Sequence, residues 1–167
     1  VIRPEDVVIK ELYKASNDGV KIDLIVRGIC CLRAGVPGMS ENITVRSITG
    51  RFLEHSRIFY FHNDGLEDIY CASADWMPRN LNRRVELLFP VEDPDCRARV
   101  REVLDVELND TIRAHYLSED GSYHKVDLRG KVKLDSQEKL IELAEEATKK
   151  LDETVENMAF IPAEPVD

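Results

Sequence analysis

The chain has 167 residues, 43% hydrophobic and 33% charged, with a formal net charge of −9 at pH 7. That length suits one domain with a sizeable core, and the balance of apolar and charged residues excludes a mainly disordered chain. No apolar run reaches the roughly 18 residues that a spanning helix requires, and Val1-Ile2-Arg3-Pro4 is neither a secretory leader nor a start methionine, so the sequence reads as a piece of a longer polypeptide.

Pro4 in a first helical turn, Val8, Leu12 and Ala15 on one face, and the stop Asn17-Asp18-Gly19 predict an amphipathic helix over residues 4–18. Residues 21–26 become continuously apolar, as a central strand does, and deliver Arg27 at the carboxyl end, where open α/β sheets keep their ligands. A loop with three glycines and a proline spans residues 28–42. Strand signals return at 43–48, 57–61 and 68–72, with Asn63-Asp64-Gly65 turning the last two into a hairpin. Residues 83–90 read as another strand, and Asp93-Pro94 opens a helix running to about Leu108. A second hairpin pairs 111–117 with 123–128 around Asp120-Gly121. The last helix opens at Asp135-Ser136-Gln137-Glu138 and carries Leu140, Ala144, Ala147, Leu151 and Val155 on one face. The expected fold is α/β: a single domain over residues 1–160 with a central mixed β-sheet flanked by three helices, followed by a flexible tail over 161–167.

The net charge argues against a polyanionic ligand, but its distribution reverses that reading. Between Arg27 and Arg84 every cation is an arginine, eight of them against six carboxylates, whereas from Asp135 onward three lysines face ten carboxylates. Arginine's rigid fork of donors matches phosphate oxygens, so the middle of the chain points to phosphate recognition, with scattered surface ion pairs as the plainer alternative. The glycine-rich loop spells neither nucleotide-binding fingerprint, which leaves an anion cradle of backbone amides or a structural turn. His55, His62, His115 and His124 lack metal-ligand spacing. Cys30 and Cys31 are adjacent and Cys71 and Cys96 stand apart, a pattern that fits neither zinc nor disulfides and suits reduced cytoplasmic thiols.

His55-Ser56-Arg57 stands out in combination with Cys71-Ala72-Ser73-Ala74-Asp75-Trp76-Met77-Pro78-Arg79-Asn80-Leu81. The first run offers a reactive imidazole beside a guanidinium. The second offers a hydroxyl, a carboxylate and a further guanidinium, and the intervening hairpin brings the two together. Trp76 reads as a core anchor rather than a base-stacking platform.

Four ordered blocks, Ile25-Val26-Arg27-Gly28-Ile29-Cys30-Cys31-Leu32, Gly50-Arg51-Phe52-Leu53-Glu54-His55-Ser56-Arg57, Ser73 to Leu81, and Arg83-Arg84-Val85-Glu86, resemble the C-terminal catalytic domain of bacterial polyphosphate kinase, whose fold is related to the phospholipase D superfamily. The resemblance extends over most of residues 5 to about 155. It implies a phospholipase D-like fold and reversible transfer of the terminal phosphate of ATP to polyphosphate through a phosphohistidine, with Mg2+. The phosphorylated histidine belongs, in the family, to the preceding domain, and metal ligands are not expected in this chain. The same resemblance makes His55 the second active-site histidine, catalytic together with Arg57, and gives Arg27 to the nucleotide phosphates. Ser73 and Arg79 become candidate phosphate contacts, and Asp75 or Glu86 a candidate orienter of a histidine. The plainer alternatives are a turn-capping Ser73 and carboxylates paired with Arg79 or Arg84. Implied partners are ATP, ADP, inorganic polyphosphate, the remaining domains of the same polypeptide and further copies of the enzyme in a homo-oligomer, with no nucleic acid and no transmembrane segment, in the cytoplasm.

The superfamily's His-x-Lys-x4-Asp signature stands here as His55-x-Arg57-x4-His62, with lysine and aspartate both replaced. That disfavours a phospholipase D-type phosphodiesterase. A non-catalytic polyanion-binding or subunit-contact module remains as a third reading.

Overall fold

Among the described residues, seven strands divide between two sheets rather than forming one. The computed structural model describes residues 7–156; the first residues of the expected N-terminal helix and the expected tail over 161–167 lie outside them. In chain order the elements are α1 (Val7–Asn17), β1 (Ile22–Ile25), β2 (Ile43–Ile48), β3 (Ile58–Phe61), β4 (Asp68–Ala72), α2 (Pro78–Arg83), β5 (Leu88–Pro90), α3 (Pro94–Leu108), β6 (Ala114–Leu117), β7 (Tyr123–Lys125) and α4 (Ser136–Glu156). A four-stranded mixed sheet runs β1-β2-β6-β7, with β1 and β2 parallel and the other pairs antiparallel. A three-stranded antiparallel sheet runs β3-β4-β5. The α/β class and the mixed sheet flanked by helices are as the sequence predicts. The separate second sheet pairs strands consecutive in the chain: a short turn joins β3 to β4, and the segment that carries α2 returns the chain so that β5 pairs with β4.

The core sits on the four-stranded sheet. Ile9 of α1, Val26, Leu32 and Ala34 of the following loop, and Ile43 and Val45 of β2 form one buried cluster, with Trp76 packed against it as the expected anchor. Trp76 also stacks on Phe59 with ring centroids 5.4 Å apart. One buried polar side chain in this sheet, Arg46 of β2, pairs with Asp23 at 2.7 Å, donates to the Leu108 carbonyl and lies over the Tyr116 ring, while its Nε has no acceptor among the described residues. Its attachment to Leu108 ties the end of α3 to the sheet.

The glycine loop resolves toward the structural alternative. Three of its amides bond within the fold, Gly35 N to Ser40 O, Val36 N to Ser40 Oγ and Arg33 N to the Tyr13 hydroxyl, so these donors do not face outward as an anion cradle would require. Gly35 and Gly38 both adopt positive φ, which explains glycine there.

The stretch over 78–90 departs from expectation. Pro78 occupies the first turn of α2, a fourth helix, and only Leu88–Pro90 pairs as strand. Proline's fixed φ suits a first helical turn, and this local signal competes successfully with the apolar alternation that follows it. Among the described residues no helix is long and apolar enough to cross a membrane.

Candidate active site

The segment from Gly50 to Arg57, between β2 and β3, carries His55 and is pinned from several sides. At its start the Gln137 amide of α4 clamps Phe52, accepting from its N–H at 3.1 Å and donating to its carbonyl at 2.9 Å. Gly50 lies so close to the Gln137 and Arg113 side chains that a Cβ there would overlap them. From the end of β1, Arg27 donates through Nη1 to the Glu54 carbonyl at 2.6 Å. The Glu54 carboxylate accepts from the Ser56 N–H at 2.9 Å, closing a small turn around His55.

Arg57 leaves this turn and meets Asp75, which lies between β4 and α2, with Nε to Oδ1 at 2.9 Å. Its Nη2 reaches His55 Nε2 at 2.9 Å, and its Nη1 donates to the His55 carbonyl at 3.2 Å. A guanidinium only donates, so the imidazole meets it as an acceptor. The hydrogen bond from Arg57 holds the Asp75 carboxyl below its usual range. Arg57 is the most enclosed member of the trio, its side chain 17% exposed against 39% for Asp75. The carboxylate thus orients the guanidinium, and the guanidinium orients the imidazole, which is exposed.

Ser73, Glu86 and Arg84 form a second, adjacent cluster. Ser73 Oγ donates to Glu86 and accepts from the Leu87 N–H at 2.9 Å, while Arg84 reaches Glu86 at 3.9 Å. Of the two candidate orienters, then, Asp75 joins the His55 trio through Arg57, and Glu86 bonds to Ser73. Arg79 is exposed on α2, and no hydrogen bond or ion pair among the described residues ties it to His55, Arg57 or Ser73. Arg84 and Glu86, but not His55 or Arg57, border an apolar cavity of ≈ 670 Å³ on the second sheet.

The residues present do not supply a metal centre: among those described, no group of three or more His, Cys, Asp or Glu side chains could hold an ion.

Sequence reading missed one participant. Glu107, the penultimate residue of α3, is 5% exposed, and its carboxyl group faces that of Glu54, next to His55. An acidic residue on the charge-rich helix α3 carries no local mark of such a contact.

Comparison with known proteins gives this arrangement a family. A family model described as polyphosphate kinase C-terminal domain 2 matches residues 4–137. A polyphosphate kinase of Bacillus anthracis is 50% identical over 141 residues, covering 84% of this chain and 20% of that protein. One from Pseudomonas putida is 61% identical over 116 residues, covering 70% of this chain and 16% of the relative. The crystal structure of polyphosphate kinase from Porphyromonas gingivalis superposes with a TM-score of 0.83 at 37% identity, covering 90% of this chain and 23% of that one. The chain thus spans about a fifth of the length of the curated relatives it matches. By sequence over most of its length and by fold, it belongs to the polyphosphate kinase C-terminal domain 2 family.

Proposed function

We propose that this chain supplies one half of the active site of an ATP–polyphosphate phosphotransferase, which moves the terminal phosphate of ATP reversibly to and from polyphosphate. The observation that carries the reading is the convergence of Arg27, His55 and Arg57 on one pinned turn. Phosphoryl transfer spreads negative charge over the equatorial oxygens of the transferred group, so catalysis rests on positioning and on cations fixed in advance. Arg27 and Arg57 are the fixed cations. Their neighbours immobilise both guanidinium groups, which reduces the entropy lost when a phosphate arrives.

His55 acts here as a general acid/base or an electrostatic stabiliser, while the phosphohistidine is formed on the preceding domain of the same polypeptide. An exposed imidazole on an anchored turn suits that role, because it can reach a group presented from outside the chain. Ser73 and Arg79, both exposed, are assigned to more distant phosphates of the substrate. ATP and ADP, inorganic polyphosphate, the remaining domains, a homo-oligomeric assembly and a cytoplasmic setting complete the reading.

The test is polyphosphate synthesis by the full-length polypeptide that carries this sequence, given γ-labelled ATP and a polyphosphate primer. Chain growth with release of ADP is expected. Hydrolysis of phosphodiesters without chain growth would favour the phosphodiesterase instead. The 167-residue chain alone is expected to bind short polyphosphate in a salt-sensitive manner without turning over ATP, since the nucleophile lies elsewhere.

A further inference from the structure

We propose that Glu107 is a positioning residue for His55: its carboxyl group and that of Glu54 share one proton, and this hydrogen bond holds the His55 turn against the end of α3. The inference rests on the reading of His55 as a catalytic residue. It begins from a mismatch. Glu107 is 5% exposed, and its Oε1 is buried with no hydrogen-bond donor among the described residues. A lone carboxylate in that position would be costly.

The charged groups around it do not supply a cation. Glu54 faces Glu107 from the turn, and Asp110 adds a second negative charge from beyond the helix. The nearby guanidinium groups of Arg27 and Arg46 donate to the carbonyls of Glu54 and Leu108. Two ionised carboxylates can only accept, so a hydrogen bond between Glu54 and Glu107 requires a proton on one of them. Burial, then the charge of Glu54, pushes the Glu107 carboxyl up to about 8. For Glu54, burial pulls in the same direction, but hydrogen bonds from Ser56, from Glu107 and from the His55 backbone outweigh it and bring that carboxyl below its usual range. At neutral pH Glu107 is the donor and Glu54 the acceptor.

The contact is well placed to act on His55. Glu54 precedes it, its carboxylate holds the Ser56 N–H, and its carbonyl holds Arg27. Losing the proton from Glu107 sets two anions against each other, one of them buried, and drives the turn away from α3. A small displacement of a catalytic group is enough to lower turnover.

The experiment uses full-length polyphosphate kinase carrying this sequence, with Glu107→Gln, Glu107→Ala and His55→Ala, and reads kcat and KM against pH together with amide hydrogen exchange over residues 52–57. Glutamine keeps the donor but cannot ionise, so Glu107→Gln is expected to rescue neutral-pH turnover and to abolish a loss of kcat that the native enzyme shows near pH 8. Glu107→Ala is expected to lower kcat about tenfold with KM for ATP changed less than about twofold. Corrected for intrinsic rates, exchange over 52–57 should rise in Glu107→Ala, and above pH 8 in the native enzyme but not in Glu107→Gln. An alkaline limb that persists in Glu107→Gln, or unchanged kcat and exchange in Glu107→Ala, overturns the proposal. Retained turnover in His55→Ala would instead overturn the reading of His55, and the exchange measurements would still decide whether the carboxyl pair holds the turn.

Discussion

The two sheets bury their apolar residues to very different degrees. In β2 of the mixed sheet, Ile43, Val45 and Ile48 are all buried, Val45 completely. In and around the three-stranded sheet, Phe61, Leu87, Leu88 and Phe89 are all more than half exposed. Comparable apolar content therefore leads to different outcomes, because a strand needs a covering layer as well as an apolar pattern: Ile69 of β4 is buried, but these four side chains are left uncovered among the described residues. The pinned turn lies between β2 of the mixed sheet and β3, the first strand of the other sheet. His55 thus has a firmly packed support on one side and a more open one on the other.

If stability resides in the first region, truncations there should dominate. Leu32→Ala, at a side chain 2% exposed, is expected to lower unfolding free energy by about 2–5 kcal/mol, while Leu88→Ala on the open sheet should stay within about 0.5 kcal/mol. Equal losses in chemical denaturation would break the comparison. A somewhat smaller effect is expected at Asp110, whose buried carboxylate accepts from the N–H groups of Arg113, Ala114 and Ser136 and so joins β6 to α4. Asp110→Ala leaves those donors without their acceptor and should cost about 3 kcal/mol. The helix cap at Asp93, which accepts from the Cys96 N–H, is an exposed local feature, and Asp93→Ala should give a smaller loss of stability than either Leu32→Ala or Asp110→Ala.

The two sides of the turn should also respond oppositely to pH. Glu107 is held at about 8, above the ordinary 4.5, so its favourable protonated contact is present at low pH and lost as pH rises through 8. Asp75 is held below 3.8 by Arg57, so that pair is intact above the ordinary value and is lost as pH falls. Histidine and backbone resonances of the turn, followed by NMR, should therefore shift at the alkaline end through Glu107 and at the acid end through Asp75. Loss of the alkaline change alone in Glu107→Gln would sharpen the assignment.

Local signals made much of this legible in the sequence. Asp93-Pro94 marks the start of α3, β2 and β4 occupy their expected spans, and Arg27 stands just beyond β1 as its strand pattern requires. The proximity of His55 and Arg57 is written in their spacing, and the hairpin accounts for Asp75. What escaped the sequence depends on distant partners or on competing local rules. Pro78 starts a short helix without a side-chain cap, so the signal that identified α3 is weaker there. Division into two sheets depends on which strand edges meet, which no local pattern states. Glu107 meets Glu54 across the fold, and its importance comes from burial, invisible in a helix otherwise rich in charge.

The central claim is that His55 takes part in phosphoryl transfer rather than supporting the fold. Its most direct test is the turnover of full-length polyphosphate kinase with His55→Ala, measured alongside circular dichroism and thermal unfolding. The account predicts that kcat falls by at least about a hundredfold while the unfolding transition is unchanged, because the imidazole is exposed and its proposed role lies in the transition state. Native-like turnover in a folded His55→Ala enzyme would contradict it.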